Sequence, residues 1–432
     1  MADSFTTRLA DFATAPVTPS GPARQTTVLS ALDWLAVGRA GSAEPVSRIL
    51  RAQATEEGGA PQARLFGGGA APVRMAALVN GTVSHALDYD DTHFAHIGHP
   101  SVAVFPAALA MGERQGGAIA GVLEAALVGM EVSIRVGVWL GRGHYQRGFH
   151  QTATAGAFGA AVAAGRLAGL DAQAMTQVLG LTATRAAGLK VQFGTMAKPY
   201  NAGLAASCGV EAALLVARGF QANPDAMSGE FGFAATHHGA GDIDKALAGL
   251  GEHWLFETVS HKFHACCHGL HAALEAARDL DLAAPEIAEL SVRTHPRWMS
   301  VCNQPMPTTG LGAKFSYGTV LAMRALGYDT ARLDSYTDQI CADPKVRGLR
   351  AMVRVEADDS LSETEAVVTV LRRDGVRREA HHDLAAPMEM TDREARVREK
   401  AQNLIGETSA RAIWSLLRGG GAVEDLAALV SE

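Results

Sequence analysis

Apolar residues fall at Val28, Leu29, Leu32, Leu35 and Ala36, the spacing of one helix face, and predict a helix over 26–37. The same period returns over 73–85 and 102–113, with Ser101 as the N-cap of the second and Pro106 near its first turn. Long Ala-rich stretches over 119–140, 152–167, 171–189 and 201–217 read as packed helices whose small side chains permit close approach. The Gly-rich stretch 58–69 reads as an exposed loop. Near Leu282 the pattern changes. Segments 289–295, 351–356 and 365–371 alternate or run β-branched, as strands do, with a helix over 314–326 between the first two. An Arg373-Asp374-Gly375 turn leads into a hairpin partner over 376–380, and helical spacing resumes over 392–404 and 409–417. The expected fold class is mainly α: a helical domain over 1–265 and 389–432, with an α+β insertion over 266–388.

Composition narrows the function. With 432 residues and 48% hydrophobic content the chain can bury a large core. Its net charge of −7 comes without a Lys/Arg stripe, and its aromatics are scattered, which argues against a nucleic-acid partner. The start, Met1-Ala-Asp-Ser-Phe5, lacks the basic and apolar regions of an export signal. The most apolar windows, 102–111 and 153–168, are interrupted by Pro106 and Arg166, so no membrane span and a cytoplasmic location are expected. Five cysteines without a CxxC pair disfavour a disulfide framework or a dedicated zinc or iron–sulfur site.

The chemistry gathers in His85-Ala-Leu-Asp88-Tyr89-Asp90-Asp91-Thr92-His93-Phe94-Ala95-His96-Ile97-Gly98-His99-Pro100-Ser101. Burying so many ionisable groups together is costly unless they are paired or used. His99 is expected at a helix N-terminus, where backbone N–H groups favour an anion, and His150 at another, with Thr152 as the cap. Lys198 precedes Pro199, which is expected to hold it extended while Asn201 caps the next helix. The run Ser260 to His271 packs cations beside Cys266 and Cys267, which are read as packing residues, and Tyr317 begins a helix in the α+β unit. A divalent-metal site on Asp88, Asp91, His93, His96 and His99 is one alternative. A non-catalytic carboxylate-binding protein is another.

In chain order, the HALDYDDT…HPS block, Phe149-His150, Thr195…Lys198-Pro199, Lys262-Phe-His-Ala-Cys266 and Ala313-Lys-Phe-Ser-Tyr317 resemble the MmgE/PrpD family. That family includes 2-methylcitrate dehydratases, cis-aconitate decarboxylases and iminodisuccinate epimerases. The resemblance implies a helical domain formed by both termini, an inserted lid domain, a homodimer, and no metal or organic cofactor. It places Asp88, Thr92, His99, His150, Lys198 and Tyr317 on active-site positions, with Lys262, or His261 after a one-residue shift of register, beside them. The expectation is a cofactor-free lyase or isomerase of a small di- or tricarboxylate. Lys198 and Lys262 would hold carboxylates, His150 or His99 would take a proton alpha to one of them, and Tyr317 or a second histidine would return it. Dehydration of a 2-methylcitrate-like acid ranks first, with epimerisation and decarboxylation as the alternatives.

Overall fold

The computed structural model describes residues 4–239, 241–280 and 282–431. Two compact units are present, one of residues 1–261 and 390–432 and one of residues 262–389. The first unit is helical and built from both ends of the chain. Its helices are α1 (Phe5–Thr14), α2 (Gly21–Gly41), α3 (Pro45–Glu57), α4 (Val73–His85), α5 (Ser101–Gln115), α6 (Ile119–Gln146), α7 (Gln151–Leu167), α8 (Ala172–Ala183) and α9 (Ala197–Val216). Helices Met390–Ile405, Glu407–Gly419 and Val423–Ala428 return to it. Among the described residues no helix is long and apolar enough to cross a membrane.

The Ala/Gly bias explains the packing. Every residue of α7 from Gln151 to Gly165 is buried, and α5, α6, α8 and α9 all pack against it. A helix apolar on all sides must be central. At the crossing of α4 with α9, a Cβ added to Gly203 would lie 2.1 Å from the Leu78 carbonyl oxygen and 2.3 Å from Thr82 Oγ1. Gly81 faces the Gly203 Cα across the same contact. Only glycine permits that approach, and it sets the distance between the end of α4 and the start of α9.

In the second unit a four-stranded sheet has the order β4-β3-β5-β6, from β3 (Ile287–Thr294), β4 (Val353–Ala357), β5 (Glu365–Arg372) and β6 (Arg377–Asp383). β3 pairs parallel with β4 (Val292 opposite Val355) and antiparallel with β5 (Val292 opposite Val368), so a helical crossover joins β3 to β4. β5 is buried from Ala366 to Val370, with helix His271–Ala276 packed against it.

Several local expectations change. Ser101 is the first residue of α5 rather than its cap, and its hydroxyl donates to Asp91 Oδ2 at 2.6 Å. Thr152 lies inside α7, where its Oγ1 accepts from the His99 backbone N–H at 3.1 Å; His150 takes the N-cap position. Helix α9 begins at Ala197, so Lys198 is helical, and Pro199 sits in the first turn, where a missing N–H costs nothing. Asn201 is therefore interior and not a cap. The region 58–69 is only partly exposed, because strand β1 (Ala63–Arg64) pairs with β2 (Ala70–Ala71) and buries Leu65 and Phe66. Helix α8 stops at Ala183, and the stretch 314–326 is split, with Ser316 capping helix Tyr317–Ala325.

Candidate active site

Helix α4 ends at His85, and the chain then crosses fifteen residues to Ser101. Two isolated bridges hold this loop, Thr92 with Ser260 and His93 with Gly98. Lys400, from helix Met390–Ile405, reaches in from the C-terminal return. Its Nζ donates to the Tyr89 carbonyl at 2.5 Å and pairs with buried Asp33 at 2.6 Å. Asp88 has φ +51°, a left-handed conformation that aspartate tolerates better than most residues. Ile97 has φ +55°, which is strained for a β-branched side chain.

Four segments converge. His85 Nδ1 lies 2.8 Å from Asp90 Oδ1, and His99 Nδ1 lies 2.8 Å from the other oxygen, Oδ2. His99 Nε2 stands 3.5 Å from Asp88 Oδ1, which Lys198 Nζ also meets at 2.7 Å. The His85 ring lies 4.5 Å from that of His99 and 6.2 Å from that of His150, centroid to centroid. Asn201 Nδ2 donates to His150 Nδ1 at 3.2 Å and to the Leu189 carbonyl at 3.4 Å. A neutral His150 that accepts at Nδ1 carries its proton on Nε2. The Phe193 ring meets it edge-on at 4.9 Å.

Electrostatics divide the roles. Asp90 is fully buried, yet the flanking His85 and His99 hold its carboxyl well below the usual range against the cost of burial. Burial pushes His85 down to about 4, with Asp90 partly opposing, so it is a neutral donor at Nδ1. Its Nε2 is buried with no hydrogen-bond partner among the described residues. Burial, then the charge of Lys198, drives His150 well below its ordinary value. The site therefore offers one anchored carboxylate, one ammonium, a neutral imidazole with an N–H to donate, and His99 between two carboxylates.

Asp88, His99, His150 and Lys198 come together, as the motifs suggested, and Thr92 sits at the foot of the same loop. His85, Asp90 and Asn201 are additions. The first two lie in the block that drew attention, but nothing in their spacing marks them as partners of a single ring. Lys400 carries no sequence signal at all. Asp91, His93 and His96 turn away: His93 Nε2 meets the Leu255 carbonyl and Thr258 at 2.9 Å, and His96 Nε2 meets Ser133 at 3.0 Å. The five-residue metal set is thus dispersed. A different group, His85, Asp88, Asp90 and His99, has ligand atoms within 4.8 Å of one another. Three of its residues, His85, Asp90 and His99, already meet one another, and Lys198 supplies a cation to Asp88.

His261 packs into the first unit with Nε2 3.0 Å from Ser30 Oγ, and Lys262 is the buried first residue of the second. Tyr317 is fully buried in the second unit, its hydroxyl donating to the Gly269 carbonyl at 2.6 Å with Thr294 Oγ1 at 3.0 Å. Burial pushes its phenol well above the usual value.

The MmgE/PrpD N-terminal domain matches residues 7–246, and the MmgE/PrpD C-terminal domain matches residues 264–416. The chain belongs to the MmgE/PrpD family. Its mainly α, two-domain architecture is that of the family. The chain is 32% identical over 272 residues to the cis-aconitate decarboxylase of Aspergillus terreus, covering 59% of this chain and 55% of that protein. It is 26% identical over 385 residues to the human cis-aconitate decarboxylase, covering 83% of this chain and 79% of that protein. With the mouse enzyme of the same name it shares 30% identity over 303 residues, covering 66% and 61%. The match thus spans little more than half the length of the fungal relative.

Proposed function

We propose that this MmgE/PrpD chain is a lyase that decarboxylates a small tricarboxylate of the cis-aconitate type by proton transfer at His99. The observation that carries this reading is the convergence of Asp88, His99, His150 and Lys198 within one loop-and-helix cluster. The relatives named cis-aconitate decarboxylase favour this outcome over the dehydration ranked first from sequence.

An ammonium has three donors, so Lys198 can hold Asp88 and a substrate carboxylate together. Loss of CO₂ from the methylene arm of such an acid pushes an electron pair across the double bond into a remaining carboxylate. The Lys198 charge and the His150 Nε2–H stabilise that developing anion. A proton must then reach the former alkene carbon. His99 delivers it from Nε2, while its Nδ1 stands 2.8 Å from the buried Asp90 carboxylate. No cofactor enters this scheme.

Thr92, Lys262 and Tyr317 remain candidate substrate or proton-transfer residues on their motifs alone. A homodimer belongs to the same proposal, because Leu189, Val191, Phe193, Met196 and Tyr200 expose an apolar patch next to Lys198. Light scattering tests it.

The reaction is tested by incubating the protein with cis-aconitate, 2-methylcitrate and iminodisuccinate. CO₂ release from the first supports decarboxylation. Growth of alkene absorbance from the second shows a dehydratase, and inversion of the third an epimerase. Inertness toward all three and a broad carboxylate panel would remove the proposal, and activity lost to EDTA with stoichiometric metal would replace it with metal catalysis at His85, Asp88, Asp90 and His99.

A further inference from the structure

In the second unit, Cys267 and Cys302 sit with their Sγ atoms 3.1 Å apart, both as thiols. Cys267 opens the short turn His268–Leu270 and is half-buried, while Cys302 caps helix Arg297–Val301 and is buried. Gly269 makes the approach possible: a Cβ there would fall 2.8 Å from Cys302 Sγ and 2.5 Å from the Trp298 ring. Each cysteine is also fixed by its own backbone. The Cys267 N–H donates to the Lys314 carbonyl at 2.9 Å, and that of Cys302 to the Trp298 carbonyl at 2.8 Å. Closing this gap to a covalent bond of about 2.05 Å needs a movement of about 1 Å. The remaining cysteines have other surroundings. Cys266 points its backbone N–H to the His264 carbonyl, Cys341 Sγ donates to the Thr309 carbonyl at 3.2 Å, and Cys208 is buried in α9 of the first unit.

We propose that Cys267 and Cys302 are a thiol-oxidation site that closes to a reversible disulfide when the protein meets a peroxide. Cys267 reacts first, because it is the one that solvent reaches and because burial holds the Cys302 thiol well above its usual value. Its sulfur attacks the peroxide O–O bond, giving a sulfenic acid and one water. Cys302 then attacks that sulfur, forming the S–S bond and expelling the second water. Two thiols are oxidised by two electrons and one peroxide is reduced to two waters. The bridge ties the turn that carries Gly269, whose carbonyl holds the Tyr317 hydroxyl, to helix Arg297–Val301.

The test is treatment of the full chain with hydrogen peroxide, followed by thiol titration in denaturant and peptide mapping before and after dithiothreitol. The expected result is two fewer thiols than the five of the reduced chain and a cross-linked peptide pair containing Cys267 and Cys302, both reversed by dithiothreitol. Cys267→Ser and Cys302→Ser should each abolish the cross-link, with circular dichroism confirming that they are folded. Five titratable thiols after treatment, irreversible sulfinic acid at Cys267, or a cross-link to Cys266 would each overturn the proposal.

Discussion

Asp90→Asn tests how His99 is held. The wild-type carboxylate offers one oxygen to His85 Nδ1 and the other to His99 Nδ1, each at 2.8 Å. An amide presents one acceptor and one donor, so one of the two imidazoles loses its acceptor. That ring must move its proton to Nε2 or turn away. If His99 is the ring affected, its Nδ1 loses the carboxylate that stands 2.8 Å away, and the ring that aims Nε2 at the substrate in this scheme is no longer held in place. Removing general acid–base catalysis typically costs about 10²–10⁴-fold in rate. At about 1.4 kcal/mol per tenfold, that is about 3–5 kcal/mol of transition-state stabilisation. Asp90 is buried behind the imidazoles and meets no substrate in this scheme, so the loss should appear in kcat with KM little changed. Initial rates of CO₂ release from cis-aconitate, measured with circular dichroism to confirm the fold, give the answer. A folded Asp90→Asn enzyme with kcat within about threefold of wild type would refute the assignment of His99 as the proton carrier.

Further outcomes follow from the same geometry. Burial lowers His85, His93 and His144 to about 4 and His96 to about 3, so each stays neutral in the fold below the pH at which the unfolded chain binds a proton. Their contribution is complete above about pH 6.5 and is lost as pH falls toward 4. Asp91 acts oppositely, because burial raises it to about 7, so its share declines as pH rises from about 4 to 7. Burial also lowers His150, His237, His261 and His271, and it raises Glu113 and Glu131 as it does Asp91, so eight histidines stand against three carboxyls; urea midpoints should fall as pH drops from 6.5 to 4.5, and a flat profile would contradict the buried neutral assignments. Gly203→Ala should force α4 and α9 apart, lower stability by about 1–3 kcal/mol in denaturant titration, and reduce kcat by displacing Lys198 from Asp88. Unchanged stability would mean the helices do not cross as closely as described. Tyr317→Phe should lower stability by about 1–3 kcal/mol, since it leaves the buried Gly269 carbonyl without its donor. A fall in kcat larger than that stability loss explains would give the phenol a part in proton transfer.

The helical unit was legible because its apolar period is long and uninterrupted: α4 runs from Val73 to His85 as the spacing predicts. The strands were legible from Val292, Val355 and Val368, which alternate or cluster as half-buried sheets require. Helix starts were less so. Ser101, Thr152 and Asn201 have capping side chains, but each is used for a tertiary hydrogen bond instead, with Asp91, His99 and His150. Helices Phe5–Thr14 and Pro45–Glu57 escaped notice, the second because it is mostly polar and buries only Ser47 and Ala54. The site motifs pointed to segments that the fold brings together at Asp88, His99, His150 and Lys198. Pairing within them depends on three-dimensional closure: Asp90 rather than Asp88 anchors the inner nitrogen of His99, and Lys400 arrives from more than three hundred residues away.

The most direct test of the central claim is turnover of cis-aconitate in D₂O, followed by NMR. The account predicts release of CO₂ with one deuterium on the former alkene carbon, and loss of both signals in His99→Gln and Lys198→Ala proteins that remain folded. CO₂ release persisting in those variants, or a product without deuterium, would contradict proton delivery from the His99 cluster.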